Sequence, residues 1–513
     1  MNLKIKQESE NSVVNLALDT IKIGKQALIF VNTKKSAEKA AEDISKRMKT
    51  TNEQLEIISE EVLNSIQKPT SQCERAAMCI KKGVAFHHAG LTSKQREIVE
   101  DNFRNGIIKI ICCTPTLAFG LDLPAYRAII KDLRRYSQRG LAWIPVLEYL
   151  QMCGRAGRPN YDMEGYAIVI AETSAEKNKI EEKYLNGKSE EIYSKLAVEP
   201  VLRTYVLSLI SSSFVRTKKD LIDFFSKTFY AHQFKDMRKI TSTIYKTLDM
   251  LEDWELIIRE NEEFKSADAV EDEPLRSTLL GKRVSELYID PLTADKIRKC
   301  LINASDKKLR EFSFLQMVSN TLELRPLLRV GIKEHDKIQE ALMQNYEYLM
   351  ESEPSMYEPE YEEFLNSVKT SLMLNEWIEE KDEEFLLEEY GIRPGELRAK
   401  IEIADWLLYS TSEISKLQHY PNMVKHIAKL RIRMKYGAKE ELLPLLKFQG
   451  IGRMRARILF RNKIKDIGDV KNADLSLLKQ LIGEKTSLSI KRQAGDESFL
   501  KNENDNASLR EWG

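Results

Sequence analysis

The sequence predicts an α/β domain, a parallel sheet with flanking helices, followed by mostly α domains. Three observations lead there. Five short β-type runs, at residues 27–31, 84–87, 109–113, 128–130 and 166–170, alternate with amphipathic helical stretches, the pattern of strands joined by helical crossovers. From residue 293 to about 416 the apolar spacing is helical. No apolar run approaches the roughly 18 residues of a membrane span, and the polar start is unlike a signal peptide.

The 513 residues suffice for about three or four domains. With 80 basic and 79 acidic side chains the net charge is +1, so bulk charge singles out no partner. Its distribution does. Residues 425–465 hold thirteen Lys or Arg against Glu440 and Glu441, whereas residues 340–389 hold sixteen acids and two lysines. A basic stripe points to nucleic acid, and an acidic block to solvated helix faces. The six cysteines show no CxxC spacing and no zinc-type histidine partner, so no metal site is expected. Reduced thiols and a cytoplasmic location are expected instead.

Within the first 190 residues, helices are expected over 36–48 and 93–103, each opening on a serine suited to capping. Thr114 and Gly120 fall in a loop after the third β-type run, where α/β sheets place ligands. Residues 132–145 flank a turn-prone Ser137-Gln138-Arg139-Gly140 with Arg135, Tyr136 and Trp143, and this reads as a hairpin. The stretch from Glu148 to Pro159 then sets Arg155 and Arg158 behind Gly154 and Gly157. A planar guanidinium that never deprotonates suits the spread charge of a transferring phosphoryl group. Gln151, one helical turn before Arg155, is placed to position a water or a phosphate oxygen.

After a link at 187–195, helices at 218–226 and 240–254 followed by short β-type pieces read as a winged helix over 195–291. A helical domain spans 292–430. Residues 431–490 carry Phe448-Gln449-Gly450-Ile451-Gly452-Arg453-Met454-Arg455-Ala456-Arg457, which resembles a helix-hairpin-helix. There glycines let backbone amides approach a phosphate, and Arg453, Arg455 and Arg457 add charge. The polar tail, 491–513, is expected to be disordered.

Four segments in order resemble motifs of superfamily two helicases. Residues 26–38, with Asn32 and Thr33, are similar to the fourth motif, and Phe86-His87-His88-Ala89-Gly90-Leu91 to the segment after it. Residues 114–125, with Gly120 and Asp122, are similar to the fifth, and 148–159 to the sixth. The resemblance is to the Ski-like branch, in particular the archaeal fork-repair DNA helicases related to the helicase domain of DNA polymerase theta, and extends to about residue 485.

That resemblance implies a second RecA-like domain over 1–190, a winged helix that mainly braces the motor, a ratchet domain and a helix-hairpin-helix. It also implies ATP as cofactor, with Arg155, Arg158, Gly120 and Asp122 at the nucleotide and Gln151 orienting hydrolysis. Family members usually carry asparagine where Asp122 stands. Single-stranded and forked DNA would be held by Thr33 and Thr114, by a strand-separating hairpin bearing Arg135, Tyr136 and Trp143, and by the helix-hairpin-helix. A ratchet helix from Pro394 would add Trp406, with Arg398 and Lys400 flanking the position of its usual cationic partner.

The sequence lacks the GxxxxGK[ST] and DExx segments that cradle phosphate and hold Mg2+. Gly187-Lys188-Ser189 is a chance match, since Glu182 replaces the first glycine. The expectation is therefore half of a split helicase, its first RecA-like domain and magnesium ligands on a separate protein, or else a truncated product. A non-catalytic DNA-binding or regulatory factor and an RNA helicase of the same branch are the rival readings.

Overall fold

The computed structural model describes residues 5–49, 52–66, 68–120, 122–137, 140–157, 162, 164–196, 198–235, 237–259, 274–304 and 307–495. It divides into two compact bodies, Met1–Ile192 with Asp382–Ala399, and Tyr193–Lys381 with Lys400–Gly513.

The strands of the first body are β1 (Ala27–Phe30), β2 (Val84–His87), β3 (Ile110–Cys113), β4 (Arg127–Ile130), β5 (Arg134–Ser137), β6 (Gly140–Trp143) and β7 (Tyr166–Val169). Five of them form a parallel sheet in the order β2-β3-β1-β4-β7. Every residue of β1 to β4 is buried. Helices cover both faces of such a sheet, so its strands read as continuous apolar runs rather than alternating ones. All five lie within a residue of the runs expected from sequence.

The helix caps differ from expectation. The Lys34–Ser45 helix opens on Thr33, whose side chain accepts from the Ser36 N–H, and Ser93–Arg104 opens on Thr92 with a reciprocal Gln95 capping box. The serines sit inside the first turn because a cap side chain must reach back from outside the helix to an N–H two or three residues on. Helices Glu53–Asn64 and Ser71–Ile80 fill the long β1-to-β2 connection. β5 and β6 form an antiparallel hairpin, Arg134 opposite Trp143.

Residues 382–399, placed by sequence in the helical domain, belong to the first body. Here the Gly395 N–H donates to the Gly90 carbonyl at 3.0 Å. A Cβ at 395 would stand 2.1 Å from the Leu91 carbonyl oxygen, so only glycine allows this approach.

In the second body, helices Glu199–Ser211, Lys218–Ser226 and Arg238–Asp253 precede an antiparallel pair, β8 (Ile257–Arg259) and β9 (Leu275–Ser277). Helices Pro291–Asn303, Glu311–Ser319, Tyr361–Ile378 and Pro421–Tyr436 follow, with the 400–417 part of the long Pro394–Leu417 helix. Four short helices from Arg453 to Gln493 close on their own apolar core, with Leu442, Leu459, Val470, Leu478 and Ile490 buried.

Candidate nucleotide and nucleic-acid sites

The Val146–Cys153 helix ends at Gly154, and the chain turns back along the 118–125 loop. The Ala125 N–H donates to the Arg155 carbonyl at 2.9 Å, and the Gly157 N–H to the Ala125 carbonyl at 2.7 Å. Arg155 Nε donates to the Ala118 carbonyl at 3.2 Å, and Nη2 bonds the same oxygen. Part of the guanidinium fork is thus spent on joining the two loops. Gly157 takes φ +99°, and a Cβ on the facing Gly165 would lie 2.3 Å from the Gly157 nitrogen, so both positions need glycine. Gln151, Gly120 and Asp122 are exposed beside this seam. Arg158 lies outside the described residues. The helix bearing Gln151 is held at its start by Glu190, which accepts from the Val146 N–H at 2.8 Å. This gives the expected link a structural task.

At the C-terminal ends of β1 and β3 a cleft of about 640 Å³ gathers Thr33, Lys35, Thr114, Phe119 and Arg135. Three of the expected strand-binding residues, far apart in sequence, line it together. Thr33 Oγ1 lies 2.8 Å from Ser36 Oγ, and Thr114 Oγ1 lies 2.9 Å from Thr116 Oγ1.

The hairpin is tied to this cleft. Arg135 Nη1 meets both oxygens of the buried Glu148, at 3.0 and 2.9 Å. The Asn32 amide donates to the Arg134 carbonyl. Trp143 lies under the Arg134 guanidinium, 4.2 Å from its ring centroid, and 6.1 Å from the ring of Tyr184. Arg135 and Trp143 are thus held from behind, while Leu141 on β6 is 54% exposed. The Tyr136 side chain lies outside the described residues. The anchors Asn32 and Glu148 are missed by sequence reasoning. Each lies inside a recognised motif, but its partner is about a hundred residues away or on the hairpin.

A second unforeseen cluster centres on Glu38, which is 3% exposed. Its oxygens meet Arg393 Nε at 3.0 Å, Arg75 Nη2 at 3.0 Å and His88 Nε2 at 3.2 Å. His88 Nδ1 accepts from the Gly90 N–H at 3.1 Å, so a neutral ring carries its proton on Nε2, toward Glu38. Burial pushes the His88 pKa down and favours that neutral form, against the pull of Glu38. Burial would raise the Glu38 carboxyl, but the His88 N–H and the charge and hydrogen bond of Arg393 outweigh it and bring it from 4.5 to about 2.

A carboxyl depressed by folding contributes stability above its unfolded pKa and loses it as pH falls through the folded value. The Glu38 contribution should therefore be complete above pH 4.5 and vanish toward about pH 2. Thermal unfolding across that window should show a smaller acid loss in Glu38→Gln than in the parent. Parallel acid limbs would remove Glu38 from the account.

In the region expected to form a helix-hairpin-helix, Gly450 takes φ +83° and Gly452 caps the Arg453–Arg461 helix. Arg453 lies 4.5 Å from the Trp377 ring centroid and donates to the Lys381 carbonyl at 3.1 Å. Arg455 donates to the Gly450 carbonyl at 2.8 Å, and Arg457 pairs with Glu380 and Glu441, each at 2.6 Å. Trp406 is half-buried, its indole N–H donating to the Leu287 carbonyl at 3.0 Å. Arg398 pairs with Glu383 at 2.6 Å and belongs to the first body, Trp406 to the second.

Among the described residues no cluster of His, Cys, Asp and Glu is arranged to hold a metal, and no helix is long and apolar enough to cross a membrane. All six cysteines are free thiols.

The helicase conserved C-terminal domain matches residues 9–160, and domain 4 of archaeal helicases matches residues 312–437. A protein of Methanococcus vannielii described as ATP-dependent DNA helicase Hel308 is 39% identical, over 94% of this chain and 68% of its own length. Proteins of the same description from Pyrococcus horikoshii and Methanocella arvoryzae are 37% and 38% identical, over 96% and 94% of this chain. These two are covered over 67% and 65% of their lengths. The chain belongs to the Hel308 family, and it spans about two thirds of the length of these relatives. The relatives carry the remaining third on the same chain, so they lend no support to a first RecA-like domain on a separate protein.

Proposed function

We propose that this chain supplies the second RecA-like domain and the DNA-engaging domains of an ATP-dependent DNA helicase. The helicase translocates 3′ to 5′ on single-stranded DNA and unwinds forked or branched duplexes in replication-coupled repair. The observation that carries this reading is the 114–125 segment. Its start lines the cleft with Thr33 and Arg135, and its end is hydrogen-bonded to the arginine loop. One short piece of chain thereby joins the place where a strand phosphate would lie to the place where ATP phosphates would lie.

Arg155 braces that loop, Arg158 meets the phosphates of ATP, and Gln151 orients the attacking water. Bound Mg2+ would neutralise charge on the phosphates, and its ligands belong, with the phosphate cradle, to a first RecA-like domain. Thr33, Thr114 and Arg135 hold the tracking strand, the hairpin with Tyr136 and Trp143 splits the duplex, and Trp406 with the helix-hairpin-helix holds the product strand. The helix-hairpin-helix resemblance favours DNA over RNA, since double-stranded RNA is recognised largely through 2′-hydroxyl and minor-groove contacts made by other modules.

Fluorescence-anisotropy titrations with single-stranded DNA at several salt concentrations test the two holds separately. Trp406→Ala should cost roughly 1–3 kcal/mol at every salt concentration, the worth of a stacked base. Replacing Arg453, Arg455 and Arg457 with glutamine should instead flatten the log-log salt dependence by about 0.7 for each phosphate that is no longer neutralised. Because the Trp406 indole also bonds the Leu287 carbonyl, Trp406→Phe separates ring from hydrogen bond. If Trp406→Ala shifts only the melting temperature, that residue is core. If the same chain prefers RNA, the RNA-helicase reading replaces this one.

A further inference from the structure

We infer that Phe119 is a base-stacking residue of the strand cleft, an inference that rests on the reading of that cleft as a single-strand path. In the turn Pro115–Ala118, Leu117 and Ala118 are 2% and 0% exposed, whereas the next residue, Phe119, is 48% exposed. A lone exposed apolar side chain is ordinary on a protein surface. This one lines the same cleft as Thr33, Lys35, Thr114 and Arg135. Hydroxyls and cations there suit a sugar-phosphate chain, and Phe119 adds the ring face that a base requires.

The support under Phe119 is held on both sides. Its own N–H donates to the Thr116 carbonyl at 3.2 Å, and the preceding carbonyl, of Ala118, is gripped by Arg155. An aromatic on a fixed backbone loses little conformational freedom on binding, which favours stacking. The ligand this combination fits is an unpaired nucleotide: phosphate on the hydroxyl and basic side, base on the ring. Stacking tolerates every base, as a translocating motor requires.

The test is a cycle between protein and DNA. The full 513-residue chain and its Phe119→Ala and Phe119→Trp variants are titrated with a labelled oligothymidylate and with the same oligonucleotide built of abasic sites. Phe119→Ala should weaken binding of the intact strand roughly 5- to 150-fold, the range expected for one stacked base. On the abasic strand it should match the parent, and Phe119→Trp should bind the intact strand as well as the parent. Equal losses on both strands, or no loss on either, overturn the inference. Should Phe119→Ala fail to fold, parent-like affinity of Phe119→Trp for the intact strand, with quenching by that strand and not by the abasic one, carries the same decision. Loss of binding in Thr33→Val and Thr114→Val with none in Phe119→Ala would overturn the stacking alone. A parent chain that binds neither strand would overturn the cleft reading with it.

Discussion

Alanine at Arg158 is expected to lower kcat for ATP hydrolysis about 10³- to 10⁵-fold in a motor that includes a first RecA-like domain, with little change in DNA affinity. An arginine finger contributes mainly in the transition state, where charge spreads onto the equatorial oxygens, so the loss should fall on kcat rather than on binding. Arg158→Lys should recover only a small part, because an ammonium lacks the planar pair of donors. The 513-residue chain by itself, which carries no GxxxxGK[ST], is expected to hydrolyse no ATP, and measurable DNA-stimulated hydrolysis by it would overturn that expectation. An unchanged kcat in Arg158→Ala would assign the residue to structure. Arg155→Ala should act differently, since its guanidinium holds the Ala118 carbonyl and its removal loosens the loop itself.

The second large effect concerns stability. Trp377 is 1% exposed, its indole N–H donates to the Met434 carbonyl at 2.7 Å, and the Arg453 guanidinium lies over its ring. Trp377→Ala should cost about 3–5 kcal/mol for the lost burial and the cavity, and about 1 kcal/mol more for the stranded carbonyl. Trp377→Phe should recover most of the first part and none of the second. Urea titrations of the full chain measure both, and a loss below about 1 kcal/mol in Trp377→Ala would mean that the site collapses around the gap.

By itself the sequence determined the strands, the motif order and the arginine loop. Runs such as Ala27-Leu28-Ile29-Phe30 are apolar throughout because both faces of a parallel sheet are buried, and that signal is local. The helix at 218–226 was legible for the same local reason, from periodicity, and the one from 394 onward from a proline at its start. The caps were only nearly legible: Thr33 precedes Ser36 by three residues and Thr92 stands beside Ser93, serines of similar propensity, and the geometry of the entering chain decides between them. Only the tertiary structure decided the partnerships. Glu38 with Arg393, Glu148 with Arg135, Gly90 with Gly395 and Arg453 with Trp377 join residues separated by 13 to 355 positions. No sequence period encodes such a pair, because a buried charge or an indole finds its partner through the packing of whole elements. The assignment of residues 382–399 to the first body follows from the same physics: a glycine that lets two backbones meet is indistinguishable, in sequence, from one that merely starts a helix.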